Sequence, residues 1–401
     1  MKINKNKKIM ILGASILQLP AIIKAKEMGL EVIAVDIDKN AVGFKEADIG
    51  LEISTIDIPN VVKAAELYKI DGIMTLASDM PMRTVAAVAS KLNLIGISEE
   101  TALKATNKAV MRECLKDNNI PIPKFFRIKT YKQYLDILIN FTDNCIIKPA
   151  DNSGSRGIFL INNLKNEKMI KYAFEYSKKH SRSGEVLVEE YMQGPEVSVE
   201  SISIDEKTHI IAITDKLTTG SPRFVELGHS QPSILSENVK NEIKKITIET
   251  IKAIGIKNGP SHTELKITNE GPKVVEIGAR LGGDNITTHL VPISTGVDMV
   301  KSCINIALGE MPDLNIKQNK GAAIRYFNSH KGRLCDVRGI EKAEQIEGVK
   351  QINIVKDIGE YVDDINSSSD RIGFIVANAG SPALAIRVCE EAIKNIDIDI
   401  K

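Results

Sequence analysis

The stretch GPSHTELKITNEGPKVVEIGARLGGDN, Gly259 to Asn285, decides how this chain is read. It reads as two strands around a tight turn. His262 to Ile267 alternates, Lys273 to Ile277 is apolar with a carboxylate inside it, and Thr268-Asn269-Glu270-Gly271 is a turn signal between them. A hairpin symmetric about Glu270 puts Glu264 directly opposite Glu276. Opposed positions in an antiparallel ladder have Cβ atoms about 4.5–5.5 Å apart, and like charges there repel. Such a pair calls for a positive group between its members. Magnesium (or manganese) is the obvious candidate, being hard and oxygen-seeking. Side chains alternate along a strand, so Glu276, Gly278 and Arg280 share that face. An arginine four residues past a metal carboxylate, followed by Gly282-Gly283, suggests a phosphate site. The reading assumes the register, which a bulge at Gly271 would shift by one residue.

Around this hairpin the chain is ordinary for a globular enzyme. It has 401 residues, 43% hydrophobic and 26% charged, which is room for two or three domains. A formal net charge of +1 gives no long-range attraction to nucleic acid or to an anionic membrane. With no tryptophan and 4% aromatics, platforms for stacking single strands are not expected. No run of about 18 apolar residues suggests a membrane span. The opening MKINKNKKIMILGAS runs straight into a strand–glycine–helix pattern and reads as fold rather than as a signal peptide. Five scattered cysteines without a CxxC read as reduced thiols of a cytoplasmic protein.

Residues 8–100 alternate strand and helix, which predicts a doubly wound parallel sheet. Its strands are expected at Lys8–Leu12, Glu31–Val35, Gly72–Leu76 and Leu94–Ile97, with Asp79 capping a helix. The turn GASILQ carries one glycine where a dinucleotide fingerprint needs three, so NAD is not expected, and Asp36 reads as a strand-end cap or small-substrate contact. Residues 101–120 read as one amphipathic helix with Lys108 and Arg112 on one face. The Pro-punctuated IPIPKFF (Ile120–Phe126) is a boundary, and LNIKQNKG after Pro312 is a linker. The expected architecture is α/β. A doubly wound domain spans 1–103, a second domain of two α+β subdomains spans 104–315 (one of them about 125–192), and a small α+β domain spans 316–401.

Other segments carry chemistry only in combination. Lys148 ends a buried strand, Cys145 to Ala150, and the loop Ser153-Gly154-Ser155-Arg156-Gly157 follows with backbone N–H groups accessible to phosphate. Taken alone, a phosphate loop and a plain hairpin with a solvated lysine are both compatible with it. Val186–Met192 runs an apolar strand into Glu189, Glu190, Tyr191 and Met192, and Glu196 opens the next strand. His262 shares the face of Glu264; it can orient a substrate or simply sit satisfied in the sheet. His229 lies in a loop-like stretch that borders an acceptor site. Lys216, Glu226 and Arg223 are substrate contacts or, by default, solvated loop charges.

The order of these weak signals is the stronger observation: a helix lysine, a strand–lysine–glycine loop, a strand ending Glu-Glu, then Glu…Glu-x-x-x-Arg. In that order the chain resembles the ATP-grasp superfamily over roughly residues 1–310, together with biotin carboxylase and carbamoyl-phosphate synthase. Within it, EIGARLGGD (Glu276–Asp284) and FVELGHSQPS (Phe224–Ser233) are similar to the carboxylate–amine ligases that include L-amino-acid (dipeptide) ligases. The resemblance implies an ADP-forming ligase that uses ATP and Mg²⁺. Lys108 and Lys148 would contact the phosphates, and Ser153, Gly154, Ser155 and Gly157 would close over them. Glu189, Glu190, Tyr191 and Met192 would sit at the adenine and Glu196 at the ribose. Glu264 and Glu276 would hold the metal. Arg280, with Lys148, would act on the transferred phosphoryl group. His229, His262, Gly282, Gly283 and Asp284 would border small carboxylate and amine substrates. Homodimers are common in this family. Many relatives carry an asparagine metal ligand where this chain has Gly278, which leaves one oxygen fewer and weakens a carboxylase reading. A purine-pathway ligase, and a nucleotide-binding protein without ligase activity, are the alternatives.

Overall fold

The computed structural model describes residues 7–152, 154, 156–221 and 223–401. It opens with β1 (Lys8–Leu12), α1 (Leu19–Glu27), β2 (Glu31–Asp36), β3 (Ile49–Glu52), α2 (Ile58–Tyr68), β4 (Gly72–Met74) and α3 (Met82–Leu92). The four strands form a parallel sheet in the order β3-β2-β1-β4. Leu94–Ile97 is not a strand. The helix before it ends at Asn93, in the left-handed region at φ 54°, and Ser98 already caps the next helix, so no length remains for pairing. The half-exposed IGLE of β3 takes the edge instead.

The helix expected over 101–120 is two, α4 (Glu99–Thr106) and α5 (Lys108–Asp117). Asn107 breaks it. Its backbone is extended, and its side chain accepts the N–H groups of Ala109 and Val110, the capping geometry that starts a new helix. The N–H of Lys108 donates to Ala150 O at 2.7 Å, which pins the start of α5 to the end of a later strand. Lys108 and Arg112, one turn apart, then point the same way.

Next come β5 (Phe125–Ile128), α6 (Tyr131–Leu138), β6 (Cys145–Pro149), β7 (Phe159–Ile161), α7 (Glu167–Lys179) and β8 (Val186–Glu190). They make a four-stranded antiparallel sheet, β5-β8-β6-β7, over a small core of Ile128, Tyr134, Ile147, Phe174 and Val188. The central sheet uses β9 (Glu196–Ile204), β10 (Lys207–Thr218), β11 (Glu226–Gln231), then, after α8 (Glu237–Ile254), β12 (Gly259–Thr268) and β13 (Gly271–Gly278). A π-helical turn at Ile286–Leu290 leads to α9 (Val291–Thr295) and α10 (Met299–Ala307). The C-terminal stretch adds β14 (Gly321–Tyr326), β15 (Gly332–Arg338), α11 (Ile340–Glu344), β16 (Val349–Ile354), β17 (Tyr361–Val362), β18 (Gly373–Ala379), α12 (Pro382–Lys394) and β19 (Asp397–Ile400).

The central sheet does not stop where the sequence suggested a boundary at 315. It runs β13-β12-β9-β10-β11-β14-β18-β16, eight antiparallel strands, because β14 pairs with β11. A short sheet β17-β15-β19 stands beside it. Ile243, Ile246 and Ile251 of α8 pack with Val199, Leu265 and Ile277 of this sheet and with Met10, Leu12 and Ile33 of the parallel one, so both sheets share one core. Residues from distant stretches therefore meet on fixed surfaces.

The deciding hairpin has the expected opposition for a partly different reason. Thr268 pairs with Gly271, Lys266 with Lys273 and Leu265 with Val274, a two-residue turn at Asn269-Glu270. One extra residue, Val275, then shifts the register, so that Glu264 faces Glu276. The bulge sits beside the carboxylates rather than at Gly271, a common place for a strand to re-aim a side chain.

Candidate active site

A cavity of about 430 Å³ lies where the parallel sheet, the small antiparallel sheet and the central sheet converge, and Asp79, Lys108, Lys148, Glu264, Glu276 and Arg280 all line it. Its volume falls within the usual range for small-molecule sites, about 300–1,000 Å³.

Each of the two opposed carboxylates has a protein cation beside it. Lys108 Nζ donates to Glu276 at 2.6 Å, and Lys216 Nζ donates to Glu264 at 2.9 Å. His262 Nε2 lies 3.2 Å from Glu264, and its Nδ1 lies 2.7 Å from the buried Glu200. Burial works against a charge on His262, but the Glu200 carboxylate raises its pKa to about 9. The electrostatic case for a metal is less forced than the sequence suggested, since each glutamate has a protein cation beside it, but Lys216 and His262 are shared with further carboxylates and negative charge remains. The donor chemistry still fits magnesium. Both carboxylates end on one sheet face inside the cavity. Among the described residues, no group of three or more His, Cys, Asp or Glu forms a ready-made cage. Magnesium typically uses one or two carboxylates and completes its shell with water and substrate phosphates.

Lys216 is not a solvated loop charge. It sits in β10 with its side chain 3% exposed, and Glu196, Glu264 and Glu226 converge on its ammonium at 2.7, 2.9 and 3.6 Å. Burial opposes its charge, but the three carboxylates hold it well above the ordinary lysine range.

On one side of the cavity the cations are rigidly paired. Glu189 takes Arg112 Nε at 2.7 Å and Lys148 Nζ at 2.7 Å. Burial would raise its pKa, but these two cations push it down to about 2. Both oxygens of Glu189 are therefore occupied by protein cations. Arg112 Nη1 is buried without a partner. Burial draws Lys148 below the usual lysine range. Glu190 accepts from Lys273 at 3.3 Å, Tyr191 packs against Phe224 with ring centroids 6.0 Å apart, Met192 is buried, and Glu196 bridges Lys216 and Lys266. Gly154 lines the cavity at φ 65°. Gly157 stands back against Pro149, and its carbonyl accepts from Ser177. Ser153 and Ser155 lie outside the described residues.

The other side is assembled from farther apart. Asp79 does not cap α3, whose N-cap Pro81 makes no side-chain bond. Instead its carboxylate accepts Arg280 Nε at 2.8 Å and Nη2 at 3.0 Å. Gly278 makes room for this fork, because a Cβ there would lie 2.9 Å from Asp79 Oδ1. Gly282 does the same for the neighbouring pair: its Cβ would lie 2.7 Å from both Glu200 Oε2 and His262 Nδ1. Gly283 has only Ala77 nearby. Asp284, at φ 51°, accepts Arg371 Nη2 at 2.7 Å and lies 3.4 Å from His229 Nε2. Burial would raise its pKa, but His229 and Arg371 hold it well below the usual carboxylate range. His229 is in strand β11 and buried, not in a loop. Arg371 stacks 3.7 Å over Tyr326, and Ser368 donates to Glu226 at 3.3 Å. Sequence reasoning missed Glu200, Ser368 and Arg371; no local pattern around them signals a site.

Residues 141–288 match the family described as ATP-grasp domain, and residues 325–401 match L-amino acid ligase C-terminal domain 2. An uncharacterized protein of Sinorhizobium fredii, y4rH, is 27% identical over 359 residues, 87% of this chain and 74% of that one. The L-arginine-specific L-amino acid ligase of Bacillus subtilis is 26% identical over 287 residues, 70% and 68% of the two chains. The crystal structure of an L-amino acid ligase from Bacillus licheniformis superposes with a TM-score of 0.84 over all of both chains at 22% identity, which shows a common fold.

Proposed function

We propose that this chain, which belongs to the ATP-grasp ligases, joins the carboxylate of one L-amino acid to the amine of another through an acyl phosphate. The observation that carries the reading is convergence. Glu264 and Glu276 face each other across a strand pair, with Lys108, Lys148 and Arg280 lining the same cavity. The L-amino acid ligase C-terminal domain favours this acceptor class over a purine-pathway ligase.

The chemistry follows from charge. A carboxylate oxygen attacks the γ-phosphorus and ADP leaves; the amine then attacks the acyl carbon, phosphate leaves and the amine gives up a proton. The first step brings two anions together, so catalysis is mainly positioning and neutralisation. Lys108 and Lys148 offer point charges to phosphate oxygens. Glu264 and Glu276 would hold magnesium, which supplies further neutralisation of the nucleotide phosphates when bound. Arg280 faces the transferred phosphoryl group. Glu189 keeps Arg112 and Lys148 in place, while Tyr191 and Met192 border the adenine and Glu196 the ribose. Glu226, His229, Asp284 and Ser368 form the wall against which the amino acids lie. Water must stay out, since it would hydrolyse the acyl phosphate. The five free thiols support a reducing compartment, the cytoplasm.

Incubation with ATP, Mg²⁺ and a panel of L-amino acids is expected to release ADP and phosphate only when a productive pair is present. Release of AMP and pyrophosphate overturns the reading.

A further inference from the structure

We infer that Asp79 is a positioning residue for Arg280, and that Gly278 is the gap through which it reaches. The inference rests on the reading of Arg280 as the group facing the transferred phosphoryl.

Asp79 belongs to the loop between β4 and α3, and Arg280 follows β13, 201 residues later. Their side chains are 15% and 14% exposed, so the pair is largely removed from water. A desolvated pair is favourable only when its geometry is tight. Here it is a two-point fork, the arrangement that fixes a guanidinium in plane as well as in place. A guanidinium has five N–H donors. Asp79 takes one on Nε and one on Nη2, and Leu281 O takes one on Nη1 at 3.1 Å. One donor remains on each terminal nitrogen. These two donors leave Arg280 able to bind an anion without leaving Asp79.

Gly278 makes this fork possible. A Cβ at that position would meet Asp79 Oδ1 at 2.9 Å and Arg280 Cζ at 3.3 Å. The first distance is shorter than real Cβ atoms show, so a side chain at 278 presses on the Asp79 carboxylate and on the fork it makes with Arg280. A side chain at 278 therefore strains the forked Arg280. Lys108 and His262 add positive potential around Asp79, so its carboxylate also balances the cations of the cavity.

The test is a cycle of variants. Asp79→Asn keeps the shape and removes the charge; kcat for ADP release is expected to fall about 10–100-fold, the usual cost of losing an orienting partner. Gly278→Ala is expected to lower kcat in the same range, by pushing Asp79 off Arg280. In an Asp79→Gly background, Gly278→Ala is expected to cost much less, because its closest contact is gone; contacting residues are non-additive in this way. ATP affinity, titrated by calorimetry without amino acids, is expected to stay unchanged in every variant. Equal cost of Gly278→Ala in both backgrounds overturns the inference, as does a parallel loss of ATP binding. If the wild type releases no ADP with any amino acid, the ligase reading fails instead. A second cycle, Asp79→Asn against Arg280→Met, is then read from melting temperatures, where additive shifts sink the positioning role.

Discussion

The two sides of the cavity are built differently. On the side proposed for the nucleotide, Lys108, Arg112, Lys148 and Glu189 sit on α5, β6 and β8, regular elements that pack on one another. On the side proposed for the acyl group, Asp79, Asp284 and Arg371 lie outside strands and helices and Ser368 opens a short 3₁₀ turn; Ser368 and Arg371 reach it because the central sheet runs on into β14 and β18. A ligase must grip the same nucleotide whatever it joins, which suits a rigid frame. Part of its proposed acceptor wall, Asp284 and Ser368, sits on connections that vary more readily, while Glu226 and His229 stand on β11. The comparison can be broken at several points. Arg280→Met is the sharpest. It removes the cation proposed to face the phosphoryl group, and kcat is expected to fall about 10³-fold or more, the scale of losing an arginine that stabilises phosphoryl transfer. ATP affinity without amino acids is expected to hold. If calorimetry shows the two falling together, the sides are one unit.

The nucleotide side is expected to respond through stability instead. Glu189→Ala leaves Arg112 and Lys148 buried side by side without their carboxylate. Removing one member of a buried pair costs about 3–5 kcal/mol, to be read from chemical denaturation. The pH dependence has a definite sign. The folded pKa of Glu189, about 2, lies below its ordinary 4.5. Its contribution is therefore present above pH 4.5 and lost as the pH falls toward 2. In Glu189→Gln that part of the acid limb is expected to flatten; an unchanged limb means that other carboxylates govern it.

What the sequence made legible follows the same division. Period-two alternation around a turn put Glu264 opposite Glu276, although the assumed centre of symmetry was off by half a residue and the bulge at Val275 made up the difference. The order lysine, glycine loop, Glu-Glu was readable because those residues lie on successive elements of one sheet. The Asp79–Arg280 fork was not, because nothing local marks a partner 201 residues away. Lys216 looked solvated since alternation in β10 does not say which face is covered, and it is covered by three carboxylates. His229 looked like a loop residue because ELGHSQP carries a glycine and a proline. Yet β11 is held on both edges, by β10 and by β14, and β14 comes from a part of the chain expected to stand apart. Gly278 seemed a missing ligand. In the fold it is space that another side chain fills.

The acyl side is expected to lose affinity rather than fold. Arg371→Met frees Asp284, a carboxylate still 24% exposed, so water can partly replace the lost cation. Charged hydrogen bonds contribute about 1.5–3 kcal/mol, which corresponds to a rise in amino-acid KM of about 10–100-fold. The KM for ATP is expected to stay put. A rise in both, seen in ADP-release kinetics over the two substrate axes, would mean that the C-terminal strands support the nucleotide side too.

The smallest expected effect tests the rigid side at its weakest joint. Asn107 is where one helix becomes two, and it alone caps α5 through Ala109 and Val110. Asn107→Ala is expected to cost about 1 kcal/mol, the usual loss of an N-cap. The helix cannot drift far, because Lys108 N still holds Ala150 O and Arg112 still holds Glu189. If the frame is as stiff as those anchors imply, the lost energy appears in unfolding and the KM for ATP barely moves. If instead the KM for ATP rises while the melting temperature holds, the cap sets the aim of Lys108 at the phosphates. The nucleotide side would then be tuned by a single side chain in a half-buried break, much as the acyl side is tuned by its loops.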